Sequence, residues 1–149
     1  MRVNLGKIFL GADSVKLALL LSGLVAVIIA ITILLAPEAF YAGAGIEVVG
    51  DATLVNELKA PAGVLLAAGL LMLAGIFRAD LAKVSLVTAS VVYVSYGFAR
   101  LSSMALDGLP DGALIGAASI ELFIGIACLL VLPCAQDNYP QHESTRRSQ

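Results

Sequence analysis

Residues Val91–Gly108, VVYVSYGFARLSSMALDG, place Arg100 in a run that contains no other charge before Asp107. The next apolar run, ALIGAASIELFIGIACLLVL at residues 113–132, also contains a single charge, Glu121. A charged side chain near the middle of a membrane helix is unfavourable by roughly 2.5–3.5 kcal/mol on insertion scales, so it usually faces protein or water and finds a counter-charge. The two runs therefore predict that Arg100 and Glu121 pair between neighbouring helices.

The composition is that of a polytopic membrane protein. Of 149 residues, 60% are hydrophobic and only 13% are charged, whereas a soluble domain carries about 25% charged residues. Four long apolar runs predict an all-α bundle of four transmembrane helices at about 17–36, 52–77, 84–106 and 113–132. Residues 1–16 are then an N-terminal segment and residues 133–149 a polar tail. The nine basic residues are scattered, which argues against nucleic acid as a partner.

Local signals support these boundaries. Pro37 is expected to end the first helix, and the glycine-rich stretch at residues 42–50 is expected to be an irregular surface loop. Asp51 resembles an N-cap for the second membrane helix. Pro61 allows two interpretations: a kink that frees the carbonyl of Glu57, or a place in the first turn where the missing N–H has no consequence.

The distribution of basic residues predicts the orientation. The N-terminus, the second loop and the tail contain Arg2, Lys7, Lys16, Arg78, Lys83, Arg146 and Arg147. The first and third loops contain only acidic charges, at Glu38, Glu47, Asp51, Asp107 and Asp111. The positive-inside rule then places both termini in the cytoplasm. We expect a multi-pass membrane protein with this orientation.

This orientation brings four charges to the outer half of the predicted bundle. Glu57 and Lys59 lie at the outer end of the second membrane helix. Arg100 lies about 9 Å below the outer end of the third, and Glu121 about 12 Å below that of the fourth. Two acids and two bases at a common level form a neutral quartet that can be buried where an odd charge could not.

Helical spacing favours the same cluster. On the third membrane helix one polar face recurs every three or four residues, at Ala89, Tyr93, Tyr96, Arg100, Ser103 and Asp107. On the fourth, small residues at Ala113, Ala117 and Gly125 flank Glu121 and permit close helix contact. The candidate ligand-binding residues are Asn56, Glu57, Lys59, Tyr96, Arg100, Ser103, Asp107 and Glu121.

Structural interpretations of the same residues remain open. Arg100 can snorkel to the headgroups, Glu57 and Lys59 can be ordinary interfacial residues, and Glu121 can be a packing partner of Arg100 alone. Cys128 and Cys134 are six residues apart, about 9 Å of helical rise, so they are expected to be two independent thiols. With His142 alone in the tail, we expect no metal site and no cofactor.

Three stretches carry a family resemblance: NELKAPAGVLLAAGLLML, YGFARLSSMALDGLP and IELFIGIACLL. Over residues 36–132 the chain resembles an uncharacterised bacterial family of small four-helix membrane proteins, catalogued as a domain of unknown function, and this resemblance implies a location in a bacterial inner membrane. Its pattern is Asn-Glu-Leu-Arg, then Gly-Arg near Asp-Gly, then a glutamate in the last helix. The matching positions are Asn56, Glu57, Arg100, Asp107, Gly108 and Glu121. Lys59 stands where the pattern has arginine, and Ala99 where it has glycine. Because lysine stands in place of arginine at residue 59, this position lacks the paired N–H donors that bind a carboxylate or phosphate in bidentate fashion.

Three functions fit these features. The first is binding of a small polar or amphiphilic ligand, with Glu57 and Glu121 as acceptors or titrating carboxylates and Lys59 and Arg100 holding anionic groups or balancing the glutamates. The second is a structural or accessory subunit of a membrane complex, in which the charges only fix helix packing. The third is a small transporter that acts as an oligomer. The expected partners are membrane lipid, a small ligand, and a second copy or another subunit. No nucleophile–base, HExxH, P-loop or paired-cysteine motif favours an enzyme.

Overall fold

The computed structural model describes residues 12–48 and 50–138, and this part of the chain contains helices and no strand. The helices are α1 (Ala12–Leu35), α2 (Pro37–Ala42), α3 (Ala52–Phe77), α4 (Ala79–Leu106) and α5 (Gly112–Asn138). All except α2 are long and apolar enough to cross a membrane. The prediction of an all-helical fold with four candidate membrane helices is therefore confirmed. The interpretations of residues 1–11 and of the tail at residues 139–149 lie outside the described residues.

The connection after α1 is more ordered than the sequence suggested. Pro37 ends α1 and also opens the short helix α2, in which it occupies the first turn. Proline suits that position because its fixed φ is helical and its missing N–H would have no partner there. After α2 the chain turns at Gly45, whose φ of 72° lies in the left-handed region.

Capping residues define the starts and ends of the next helices. The Asp51 Oδ1 accepts hydrogen bonds from the backbone N–H groups of Thr53 and Leu54, at 2.9 and 3.0 Å. This confirms the predicted N-cap of α3. Asp107 caps the end of α4, and Gly108 follows it with a φ of 103°. Glycine is the residue best suited to that left-handed turn.

Three helices extend beyond the sequence estimates, and the first of them, α1, begins at Ala12 instead of near residue 17. α4 begins at Ala79 because Ala82 and Leu86, 1% and 0% exposed, pack in the core and hold the first turns helical. α5 continues through Pro133 to Asn138 instead of ending at residue 132. Ala135, 1% exposed, packs in the same core, and this tertiary contact maintains the helix beyond the proline.

The four long helices form a bundle in which neighbours are antiparallel. α1 packs against α3 and α5, and α4 packs against the same two helices from the other side. Glycines permit close approach: a Cβ on Gly23 would lie 2.7 Å from the Leu73 side chain, and one on Gly69 would lie 2.8 Å from Val27. We call the end where α1 and α4 finish the α2 end, and the opposite end the Arg78 end.

The outward faces of the long helices are apolar. Ile28 on α1, Val64 on α3, Phe98 on α4 and Phe123 on α5 are 61, 71, 68 and 74% exposed. Soluble proteins rarely expose apolar surface on every side, and such surfaces mark contact with membrane or protein. The fold thus fits a multi-pass membrane protein.

Candidate functional site

A cavity of about 550 Å³ lies at the α2 end of the bundle, and all five helices contribute to its wall. Most of the wall is apolar and is formed by side chains that include Ala26, Ile29, Ile33, Phe40, Leu58, Pro61, Ala62, Leu65, Val92 and Leu114. Its polar side chains are Tyr41, Tyr93, Tyr96, Arg100 and Glu121. The cavity therefore combines a long apolar surface with one compact polar patch.

The predicted ion pair lies in that patch. The Arg100 Nε donates to the Glu121 Oε2 at 2.9 Å, which joins α4 to α5. The two side chains are not equally covered: the arginine is 33% exposed and the glutamate 13%. The expectation that Arg100 finds its counter-charge on the next helix is confirmed, and the guanidinium is the more accessible partner.

Close packing of α4 and α5 brings the pair together. A Cβ on Gly97 would lie 2.6 Å from the side chain of Leu122, the neighbour of Glu121. A Cβ on Gly125, one turn beyond Glu121, would lie 2.8 Å from Val94. Since only glycine leaves this space, the two backbones approach closely on both sides of the ion pair.

Tyrosines from two helices border the pair. Tyr93, which is buried, donates from its hydroxyl to the backbone carbonyl of Ser22 at 2.6 Å and so ties α4 to α1. Tyr41 reaches the cavity from α2, where its ring packs edge-on against Phe40 with centroids 5.2 Å apart. Burial raises the pKa of the Tyr41 hydroxyl above its usual value, Tyr96 raises it further, and the Arg100 charge partly opposes the shift. The hydroxyl is therefore neutral at physiological pH.

The structure divides the candidate residues. It brings Tyr96, Arg100 and Glu121 into the cavity wall. Ser103 and Asp107 lie nearer the end of α4 and bond to each other, the serine hydroxyl donating to the Asp107 Oδ2 at 2.9 Å. Both are exposed and neither lines the cavity.

The candidate residues of α3 do not line the cavity. Asn56 and Lys59 line a separate, shallow groove together with Glu38 and Asp51. Glu57 is exposed and lines neither space. The four charges thus do not form one quartet: among the described residues, Arg100 and Glu121 pair with each other alone. The helical repeat explains the separation, because Leu58, Pro61, Ala62 and Leu65 form the α3 face that turns to the cavity.

Pro61 lies ten residues into α3, which remains helical through it. The first-turn interpretation is therefore wrong. Without an N–H, Pro61 leaves the Glu57 carbonyl without its usual helical partner. The ring itself contributes to the cavity wall.

The sequence missed two tyrosines of the cavity as site residues. Tyr93 belongs to the predicted polar face of α4 but not to the candidate ligand-binding residues, and Tyr41 is not among those candidates either. The available signal was the Phe40–Tyr41 pair one turn after Pro37, because proline suits the first turn of a helix. The two thiols behave as expected, since Cys128 and Cys134 are both free.

The polar patch places hydrogen-bonding groups beside an apolar wall. Among the described residues no group of three His, Cys, Asp or Glu side chains could hold a metal ion. The polar patch offers the terminal amino groups of Arg100 and the hydroxyls of Tyr41 and Tyr96 as donors, and the Glu121 carboxylate as acceptor. Beside an apolar wall, these groups can orient the polar head of a small molecule.

Comparison with known proteins gives one match. The model of DUF4345, a domain of unknown function, matches residues 14–132, which include all four long helices as far as Leu132. No curated protein and no solved structure matches the chain. Because the matched region covers most of the sequence, this chain belongs to the DUF4345 family.

Proposed function

We propose that this chain is a multi-pass protein of a bacterial inner membrane that binds a small amphiphilic ligand in the cavity at the α2 end. One observation carries the proposal: the cavity of about 550 Å³ joins an apolar wall from five helices to a single polar patch around Arg100 and Glu121. Small-molecule sites typically have volumes of about 300–1,000 Å³, apolar walls and a few convergent polar groups.

The surface and the charges support the membrane setting. Each long helix exposes large apolar side chains on its outward face. Of the described basic residues, Lys16, Arg78 and Lys83 lie at or near the Arg78 end, and Lys59 and Arg100 lie within helices toward the α2 end, whose loops carry acids only. Under the positive-inside rule the α2 end faces the outside and both termini lie in the cytoplasm. The cavity then belongs to the outer half of the bundle.

Photolabelling can test the site. The probe is monododecanoylglycerol with a diazirine in its chain, added to protein in lipid nanodiscs, and labelled residues are mapped by mass spectrometry. We expect labels on the cavity wall near Ile33 and Leu65. Ala117→Phe places a ring in the cavity and should remove those labels. Ala67→Phe, on the exposed face of α3, is the matched control and should leave them unchanged.

Labelling that is confined to outward-facing residues such as Val64 and Phe123, and that is equal in the two phenylalanine variants, would remove ligand binding from the account. If Arg100→Ala and Glu121→Gln both bind the probe as strongly as the native chain does, the ion pair is not part of the site.

A structural role is the second candidate function. It is favoured by the close α4–α5 contact at Gly97 and Gly125, which encloses the ion pair. If the pair only fixes helix packing, exchanging the charges (Arg100→Glu with Glu121→Arg) should restore the melting temperature lost in either single variant, and no probe should label the cavity of the native chain. Such a subunit would act within a membrane complex or as an oligomer.

A further inference from the structure

The guanidinium of Arg100 has unused donors at the cavity. Only its Nε–H, of the five N–H groups of an arginine side chain, has a hydrogen-bond partner among the described residues. Ion pairs of this type are often bidentate, with two parallel N–H···O bonds. Here the contact is single, so the two terminal amino groups remain available to a ligand in the cavity.

The cavity has no net charge. Its wall contains one cation, Arg100, and one anion, Glu121. The other charged side chains of the α2 end lie elsewhere: Glu38, Asp51 and Lys59 line the separate groove, and Glu57 and Asp107 are exposed. A ligand with a net charge would therefore add an uncompensated ion to an apolar cavity, which is unfavourable.

An uncharged head group with acceptor oxygens avoids that penalty. Its ester or carbonyl oxygens can accept from the terminal amino groups of Arg100, and the hydroxyls of Tyr41 and Tyr96 offer further donors on the same wall. Hydrogen bonds from a charged donor are stronger than those between neutral groups. The apolar remainder of the ligand would lie along Ile29, Ile33 and Leu65.

We infer that the cavity selects uncharged amphiphiles whose head group carries ester or carbonyl oxygens, with Arg100 as the donor and Glu121 as the residue that sets the charge selectivity. This inference rests on the proposed binding function. The inference assigns Glu121 a role beyond helix packing. The Glu121 carboxylate balances the charge of Arg100 and accepts from the Nε–H of that residue.

Three probes with the same chain and different head groups test the selectivity: monododecanoylglycerol, which is neutral, dodecanesulfonate, which is anionic at all working pH values, and dodecyltrimethylammonium, which is cationic. Affinities are measured by competition against the photolabel in zwitterionic nanodiscs. We expect the native chain to bind the neutral probe about tenfold or more tightly than either ion. Glu121→Gln should shift the preference toward the sulfonate, and Arg100→Gln toward the ammonium.

The exchange variant, Arg100→Glu with Glu121→Arg, keeps the net charge at zero and should keep the preference for the neutral probe. Tighter binding of the sulfonate than of the neutral probe by the native chain would overturn the inference and leave ligand binding intact. Failure of all three probes to compete at the cavity would overturn both. Because the native chain alone decides between these results, poor folding of a variant does not prevent the test.

Discussion

The two ends of the bundle are built from the same four long helices, but one end is filled by buried side chains and the other contains a cavity. At the Arg78 end, Leu19, Met72, Leu86 and Cys128 are fully buried, and the Ser85 hydroxyl of α4 donates to the Leu71 carbonyl of α3 at 2.8 Å. At the α2 end α4 and α5 still pack closely beside the ion pair, but a cavity remains between the helices, and α2 contributes Phe40 and Tyr41 to its wall. Buried side chains fill one end, whereas an ion pair and three tyrosines border the open space at the other.

This difference indicates a division of roles. A tightly packed half can hold the helices in register while the open half retains space for another molecule. In a membrane, helices associate through close packing and hydrogen bonds between them, because lipid removes the hydrophobic drive. Glycine and serine contacts at the Arg78 end are therefore expected to supply more of the stability than the α2 end does.

The largest expected effect is loss of a core side chain at the Arg78 end. Leu86→Ala removes a side chain that is 0% exposed and should lower the free energy of unfolding by about 2–5 kcal/mol. Leu70→Ala, on a residue that is 54% exposed, is the control and should change it much less. Unfolding by a denaturing detergent in mixed micelles measures both. Equal losses would show that the core packing of Leu86 does not stabilise the bundle.

Overpacking the same end should have a somewhat smaller effect. A Cβ on Gly75 would lie 2.5 Å from the Ser85 Oγ and 3.1 Å from Leu19, so Gly75→Ala should destabilise the bundle by about 1–3 kcal/mol. Gly63→Ala meets nothing within 4 Å and should stabilise α3 by up to about 1 kcal/mol, since alanine has the higher helix propensity. Shifts of the same sign in the two variants would contradict the assignment of the close contact.

The sequence predicted the features that depend on residues close together in the chain, and it failed for those that depend on how the helices pack. Apolar runs predicted the four long helices, and Asp51 predicted the start of α3, because caps and spans depend on neighbouring residues. The Arg100–Glu121 pair was also predictable, since few partners exist for an isolated charge in an apolar run. The expected quartet failed because the direction in which Glu57 and Lys59 project depends on how α3 is rotated against its neighbours, which no local signal specifies. Helix α2 was missed because Pro37 can both end one helix and begin another.

A hydrogen bond between α4 and α1, near the middle of both helices, is expected to have a moderate effect. Tyr93→Phe removes the donor to the Ser22 carbonyl and should lower the free energy of unfolding by about 0.5–1.5 kcal/mol. Tyr96→Phe is the matched control, since no hydrogen bond of its hydroxyl is found among the described residues, and should leave stability nearly unchanged. The two melting temperatures in micelles provide the comparison, and a larger loss in Tyr96→Phe would contradict it.

The smallest expected effect is at the cap of α3. Asp51→Ala removes the acceptor of two backbone N–H groups and should cost about 1 kcal/mol or less at this exposed position. Asp51→Asn retains an accepting oxygen and should therefore keep most of the stability that the alanine variant loses. Amide hydrogen exchange over the first turn of α3 reports the change directly. Unaltered exchange in the alanine variant would show that the cap does not stabilise the wall of the cavity.

The most direct test of the central claim is a crystal structure of the protein grown in a lipidic mesophase. The account predicts elongated non-protein density in the cavity, with its polar end at the Arg100 guanidinium and its chain along Ile33 and Leu65. It also predicts that Arg100 remains paired with Glu121. A closed α2 end, with Tyr41 packed directly on Ile33 and with the arginine and the glutamate pointing apart into lipid, would contradict it.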